Sequence, residues 1–294
     1  MEKTLIPARY RARRVLRLCS AMFALMLASW AMASDANARE CRINVAALFP
    51  EIESAREILG SFRDELTEDV CVSELIVDNS TTPDSLQEVF ARIDPRAIVL
   101  LNNTSVHLYR AYQEAHPEQS FPPAIVAMTS FLSLEIPGLK NVTGIHYEVP
   151  AFTGLRELRA SVTNPIKRIG VVYRARFRDF IERQREFLEP NGFELVSIEV
   201  SSQGRELRRE LNRALRQLLR YDDVDAIWLP NDNALLTPDL LATGWMPRLK
   251  EDAKPLVVGV RSLVSKDIEL GMFAVLPDHT AMGATIAELL LELE

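Results

Sequence analysis

Residues able to recognise a small molecule collect where short apolar runs end. Asn103, Thr104 and Ser105 follow the run 97–101, Thr129 and Ser130 follow 124–128, Asn233 with Asn231 and Asp232 follows 226–229, and Arg261 with Ser262 follows 256–260. Phe49 and Pro50 end the run 43–49, and Tyr173 ends 169–173. Where a strand hands over to a helix, the first-turn N–H groups are free and the helix dipole is positive there, so carboxylate or phosphate is attracted. Asn, Ser and Thr are also favoured N-caps, so Asn103, Thr104 and Ser105 read either as anchors for a carboxylate or as a plain cap. Asp232 is expected to hold an ammonium group, with capping as the alternative; on the first reading Asp232→Ala weakens binding and spares the fold. Phe49 and Tyr173 offer rings for an apolar or aromatic part, or belong to the core. Arg174 and Arg261 are alternative anion clamps, or solvated surface.

The chemistry that is missing narrows the function. The chain has no Gly-rich phosphate loop, no His-Glu-x-x-His and no Gly-x-Ser-x-Gly. Its four histidines, His107, His116, His146 and His279, fall in different elements. His146 can approach Asp278, but a hydrogen bond between halves explains that as well as an acid–base pair. No nucleophile stands beside a base, so no enzyme and no cofactor are expected. Cys41 and Cys71, the two cysteines beyond Cys19 near the N-terminus, and scattered histidines make no metal set.

These residues are positioned by alternating strands and helices. Continuous apolar runs are the signature of strands buried on both faces, and the intervening segments carry apolar residues at helical spacing, as Ile52, Ala55, Ile58, Leu59, Phe62 and Leu66 do. The class is α/β: two flavodoxin-like lobes with parallel sheets joined by hinge crossovers. Strands are expected at 43–49, 72–77, 97–101 and 124–128, then at 169–173, 193–200, 226–229, 256–260 and 272–276, with a last helix at 281–291. The stretch 141–150 lies between the two series and reads as a hinge, with His146 and Tyr147 on the way out and Pro277 and Asp278 on the return. The expected N-terminal lobe is 39–146 plus 280–294, the C-terminal lobe 147–279, and the ligand site the cleft between them. Arginines 205, 208, 209, 213, 216 and 220 flank a stripe of leucines; Glu206 and Glu210 interleave, so the run reads as a solvated helix face.

The first 38 residues read as a secretory signal peptide. A basic leader (Lys3, Arg9, Arg11, Arg13, Arg14, Arg17), an apolar run at 18–32 and the small-x-small sequence Ala36-Asn37-Ala38 fit that pattern. An uncleaved membrane anchor is the alternative, but the run is short for a span of about 20 residues and contains Ser20 and Ser29, so cleavage, with no stable membrane insertion afterwards, is expected. Cleavage there leaves 256 residues and moves the net charge from −7 to −11, which argues against nucleic acid and anionic membranes as partners. The periplasm is the expected location. In an oxidising compartment Cys41 and Cys71, each at the entry of an expected strand, are expected to pair, adding roughly 3–4 kcal/mol on the chain-entropy model; two buried thiols are the alternative.

Several segments resemble one family. They are Asn141-Val142-Thr143-Gly144 with Pro150, the run from Pro165 through Ile169-Gly170-Val171-Val172-Tyr173, Val224-Asp225-Ala226-Ile227 with Asp232, and Leu270-Gly271-Met272-Phe273 followed by Asp278 and Gly283. Together, over about 43–294, they are similar to the periplasmic substrate-binding proteins of ABC transporters, in the tryptophan-binding-protein-like group of type I periplasmic-binding fold. The resemblance implies three crossovers and a small ligand, often an amino acid, clamped for a permease in the inner membrane. A ligand sensor that presents its closed form to a membrane receptor or kinase is the alternative partner reading. In two places the chain departs from the pattern. Family members usually continue past the position of Glu294, so a missing or shortened third hinge strand is expected. Asn102-Asn103-Thr104-Ser105 replaces a turn that often contains glycine, which leaves ligand identity open.

Overall fold

A computed structural model describes residues 41–200, 204–265, 268, 270–271 and 273–293. The expected leader at 1–38 lies outside the described residues, as does Met272. Two five-stranded sheets form the frame. The first contains β1 (Ile43–Phe49), β2 (Val70–Ile76), β3 (Ala97–Leu101), β4 (Ala124–Ala127) and β5 (Val142–Gly144), in the order β2-β1-β3-β4-β5. The second contains β6 (Arg168–Arg174), β7 (Glu194–Val200), β8 (Ala226–Leu229), β9 (Leu256–Val258) and β10 (Phe273–Ala274), in the order β10-β9-β8-β6-β7. Every pairing is parallel. Numbered within its own half, each sheet has the flavodoxin-like order 2-1-3-4-5. The halves therefore share one plan, with their strand ends turned toward each other.

The interior strands β3, β4, β8 and β9 are buried at every position, which is why they read as unbroken apolar runs. Helix α1 (Glu53–Asp64) turns Ala55, Ile58, Leu59 and Phe62 inward. Helix α2 (Pro83–Ile93) starts at Thr82, whose side chain accepts from the Ser85 N–H while Ser85 bonds back to Thr82, and Pro83 occupies the first turn. Helices α3 (Asn102–Ala115) and the short α4 (Leu132–Glu135) complete the first half. The second half carries α5 (Ala151–Ser161), α6 (Arg178–Leu188), α7 (Gly204–Arg216) and α8 (Met246–Asp252). On α7, Leu207, Leu211, Ala214 and Leu215 are buried, while Arg209 pairs with Glu206 and, just beyond the helix, Arg220 pairs with Glu251.

Among the described residues the chain passes between the sheets twice, at 145–150 and at 275–278, where the resemblance implied three passages. The stretch 141–150, expected as the hinge, starts as β5, paired to β4, so the passage begins at Ile145. The second passage delivers α9 (His279–Glu292) back onto α1. That return requires Gly283, because a Cβ there would lie 2.6 Å from the Ile58 carbonyl oxygen and 2.7 Å from the Phe62 nitrogen. Cys41 and Cys71 form a disulfide with their Cα atoms 5.6 Å apart, tying the approach of β1 to β2.

Phe131 breaks the separation of the halves. It follows β4 of the first sheet yet lies in the core of the second, stacked on Phe177 at 3.9 Å and edge-on to Phe180 at 5.1 Å. To reach there its backbone adopts φ +58°, a left-handed conformation that a bulky side chain rarely takes.

Candidate functional site

The carboxyl ends of both sheets open onto one cleft of about 760 Å³. From the first half, Ile52, Glu53, Ser54 and Glu57 follow β1, Asn102 and Asn103 follow β3, and Met128 and Ser130 follow β4. From the second half, Asn231 and Asn233 follow β8, Gly259 through Ser262 follow β9, and Leu276 and Pro277 follow β10. Parallel strands bring this about directly, since every strand of a half ends at the same edge. Asn102 and Met128 sit at left-handed φ of 77° and 55°, so the rim turns at the ends of β3 and β4 are strained, as turns at binding sites often are.

Hydrogen bonds hold the rim in place. The Asn103 amide donates to the Ser130 carbonyl at 3.0 Å and accepts from the Ser130 N–H at 2.9 Å, stapling the β3 turn to the β4 turn. Across the cleft, Asn231 Nδ2 donates to Ser130 Oγ at 3.1 Å. Beside it, Arg176 donates to Glu135 at 3.0 Å, and Glu135 also lies 2.8 Å from His107 Nε2. Where the chain passes between the sheets, His279 Nδ1 lies 2.6 Å from Glu57 and its Nε2 3.3 Å from the Tyr147 hydroxyl. This chain of three groups joins both crossings to α1, and all three line the cleft. The hydrogen bond from His279, with the charge of Arg261 adding to it, holds the Glu57 carboxyl below the usual glutamate range. Burial pushes the Tyr147 hydroxyl up. Arg261 lines the same cleft and has no ion-pair or hydrogen-bond partner among the described residues.

The cleft continues into a small pocket of about 40 Å³ walled by Phe131, Phe180, Trp228, Val149 and Pro277, with Tyr147, Glu148 and Asn231 among its polar side chains. One Glu148 oxygen accepts from the Phe131 N–H. Burial pushes the Glu148 carboxyl up, against the smaller opposing pull of that hydrogen bond.

Of the residues singled out in the sequence, Asn103, Ser130, Asn231, Asn233, Arg261, Ser262, Tyr147 and Pro277 line the cleft. The others have different surroundings. Phe49 and Tyr173 are core residues, and Pro50 precedes the lining that starts at Ile52. Thr104 donates its N–H to Asn102 Oδ1 at 3.2 Å, Ser105 is fully buried, and Thr129 is buried with its hydroxyl directed at the Ala127 carbonyl. Asp232 is 3% exposed and is gripped by Arg174 through two bonds of 2.6 Å, so its carboxylate faces a guanidinium inside the second half and is absent from the cleft wall. Asp278 does not meet His146; its side chain caps α9 by accepting from the Ala281 N–H. The Glu57–His279 pair, Asn102 and Glu148 were missed. The first two lie on helix faces that no motif marks, and Glu148 lay within the hinge stretch without any signal of its burial.

No family model and no curated protein matches the chain. Solved structures do share its fold. A substrate-binding protein with adhesive properties from Clostridium difficile, in a ligand-free open form, has a TM-score of 0.61 at 16% identity, covering 85% of this chain and 84% of that one. A periplasmic ribose ABC transporter from Conexibacter woesei has a TM-score of 0.53 at 17% identity, covering 88% of each. An ABC domain in complex with L-Trp from Streptococcus pneumonia has a TM-score of 0.51 at 19% identity, covering 85% and 84%. The architecture is the two-lobed type I periplasmic-binding fold.

Proposed function

We propose that the chain is an exported solute-binding protein that captures a small polar metabolite, an amino acid or related carboxylate, between its lobes and delivers it to the membrane permease of an ABC importer. The observation that carries this reading is the cleft itself: about 760 Å³, walled from both halves by the carboxyl ends of their strands, and crossed by only two chain passages among the described residues. The volume suits a metabolite. The lobes would be 39–146 plus 280–294 and 147–279, hinged at 145–150 and 275–278. Arg261 is assigned to the ligand carboxylate, with Asn103, Ser130 and Asn233 supplying neutral hydrogen bonds. Asp232, spent on Arg174, is not assigned to the ligand.

Binding would work by population shift. A ligand that touches Asn103 on one wall and Arg261 on the other gains its full contact free energy only with the walls together, so that difference drives closure. Amino acids, small carboxylates and nucleosides, screened for a rise in melting temperature, test the reading, because a ligand of the folded form stabilises it by mass action. A hit whose affinity falls with Arg261→Ala supports it; a full panel without any shift refutes it.

A further inference from the structure

The small pocket that continues the cleft has a chemistry of its own. Its walls are the rings of Phe131, Phe180 and Trp228, with Phe131 edge-on to Phe180 at 5.1 Å and Phe180 tilted on Trp228 at 6.0 Å. Among its lining residues the only formal charge is the Glu148 carboxylate. Asn231, another polar side chain of the lining, uses an N–H on Ser130, which leaves its carbonyl oxygen without a partner among the described residues. Ring faces, a carboxylate and an amide oxygen all favour positive charge. A carboxylate placed among aromatic rings with no salt-bridge partner among the described residues is costly, and the arrangement makes sense when a cation arrives with the ligand.

Size narrows the cation. A pocket of about 40 Å³ compares with roughly 10–15 Å³ for each water-sized centre, so it admits an ammonium group and a methylene or two, and excludes a ring. The pocket shares Tyr147, Asn231, Gly259 and Pro277 with the main cleft, so an ammonium group seated there belongs to a molecule whose remainder lies in the cleft. We propose that this pocket is a cation subsite that takes the primary ammonium end of a linear aliphatic amine between Glu148 and the rings of Phe131, Phe180 and Trp228. The inference rests on the solute-binding reading above and specifies its ligand: an unbranched amine, with a carboxylate at the far end where Arg261 is used.

Calorimetry on the full chain with 4-aminobutanoate, 5-aminopentanoate and 1,4-diaminobutane, alongside butanoate and pentanoate, tests the subsite. At least one amine should bind, and an amino acid of this set should bind more tightly than its deaminated counterpart. Glu148→Gln keeps the oxygen that accepts from Phe131 and removes the charge. It should weaken the amine by up to roughly thirtyfold, the lower end of the effect of stripping one partner from a buried charge pair, since Glu148 is part-buried, and should not weaken butanoate or pentanoate. Equal affinity of the variant for the amine, or of amine and deaminated compound for the wild type, would overturn the subsite and leave solute binding intact. If none of the three amines binds, the subsite is refuted, and the broader metabolite screen decides separately whether the cleft binds anything.

Discussion

Arg174 and Asp232 form a two-pronged ion pair, with both N–O distances 2.6 Å and the aspartate almost wholly buried. The pair links the end of β6 to the turn after β8, and Asp232 also accepts from the Ala234 N–H at 3.1 Å. Removing one member of such a pair leaves an uncompensated charge, which costs about 3–5 kcal/mol when both are buried. Arg174 is 25% exposed and regains some water, so Asp232→Ala should lose roughly 3 kcal/mol of stability in urea titration. Ligand affinity of the folded fraction should change little. Wild-type stability together with lost binding would return Asp232 to the ligand site.

Phe131 acts as a wedge from the first half into the second. Truncating a buried phenylalanine costs about 3–5 kcal/mol, so Phe131→Ala should lower stability by about 3 kcal/mol. Phe131→Gly separates packing from backbone strain. Glycine relieves about 1–2 kcal/mol of left-handed strain and gives back about 0.4–1 kcal/mol through a more flexible unfolded chain. The glycine variant should therefore match the alanine variant or exceed it slightly in thermal and urea melts, and a clearly less stable glycine variant would count against strain at this position.

Gly283 sets the contact by which the last helix returns to the first half. Alanine is the better helix former by about 1 kcal/mol, which on its own would stabilise α9. Its Cβ, however, would lie 2.6–2.7 Å from backbone atoms of α1, and backbone does not yield as a flexible side chain does. Overpacking costs about 1–3 kcal/mol, so Gly283→Ala should melt below the wild type. An increase in melting temperature would show that α9 can shift outward without loss.

The fold was legible because buried parallel strands are unbroken apolar runs, and β1, β3 and β8 occur at the expected residues. The turns that line the cleft were legible too, since they must follow those strands. Which side chain of a turn faces inward was not. At the start of α3 successive residues rotate by about 100°, so Asn103 lines the cleft while Thr104 is exposed and Ser105 is buried. After β8, Asn231 and Asn233 face the cleft and Asp232 between them turns to Arg174. The partial burial of Glu148 depends on Phe131 crossing from the other half, a contact between residues 17 positions apart that no local pattern encodes.

Glu148 should make stability depend on pH in a direction opposite to the usual carboxylate. Burial raises its folded pKa above the ordinary 4.5, so its contribution is fully present below 4.5 and is lost as pH rises through the raised value. The charged group closest in its influence is His146 on the same segment, which opposes the shift without reversing it. Glu57 behaves in the opposite way: held low by His279, it contributes stability that disappears as pH falls through its folded pKa. That loss is common to wild type and Glu148→Gln and cancels in their difference. Glutamine preserves the acceptor for the Phe131 N–H and cannot ionise. The variant should thus equal the wild type below about pH 4.5 and become progressively more stable than it toward neutral pH. Urea titrations of both proteins across that range measure the difference directly. A flat difference would mean that the Glu148 carboxylate is already compensated in the empty protein, and a difference of the opposite sign would mean that it is ion-paired.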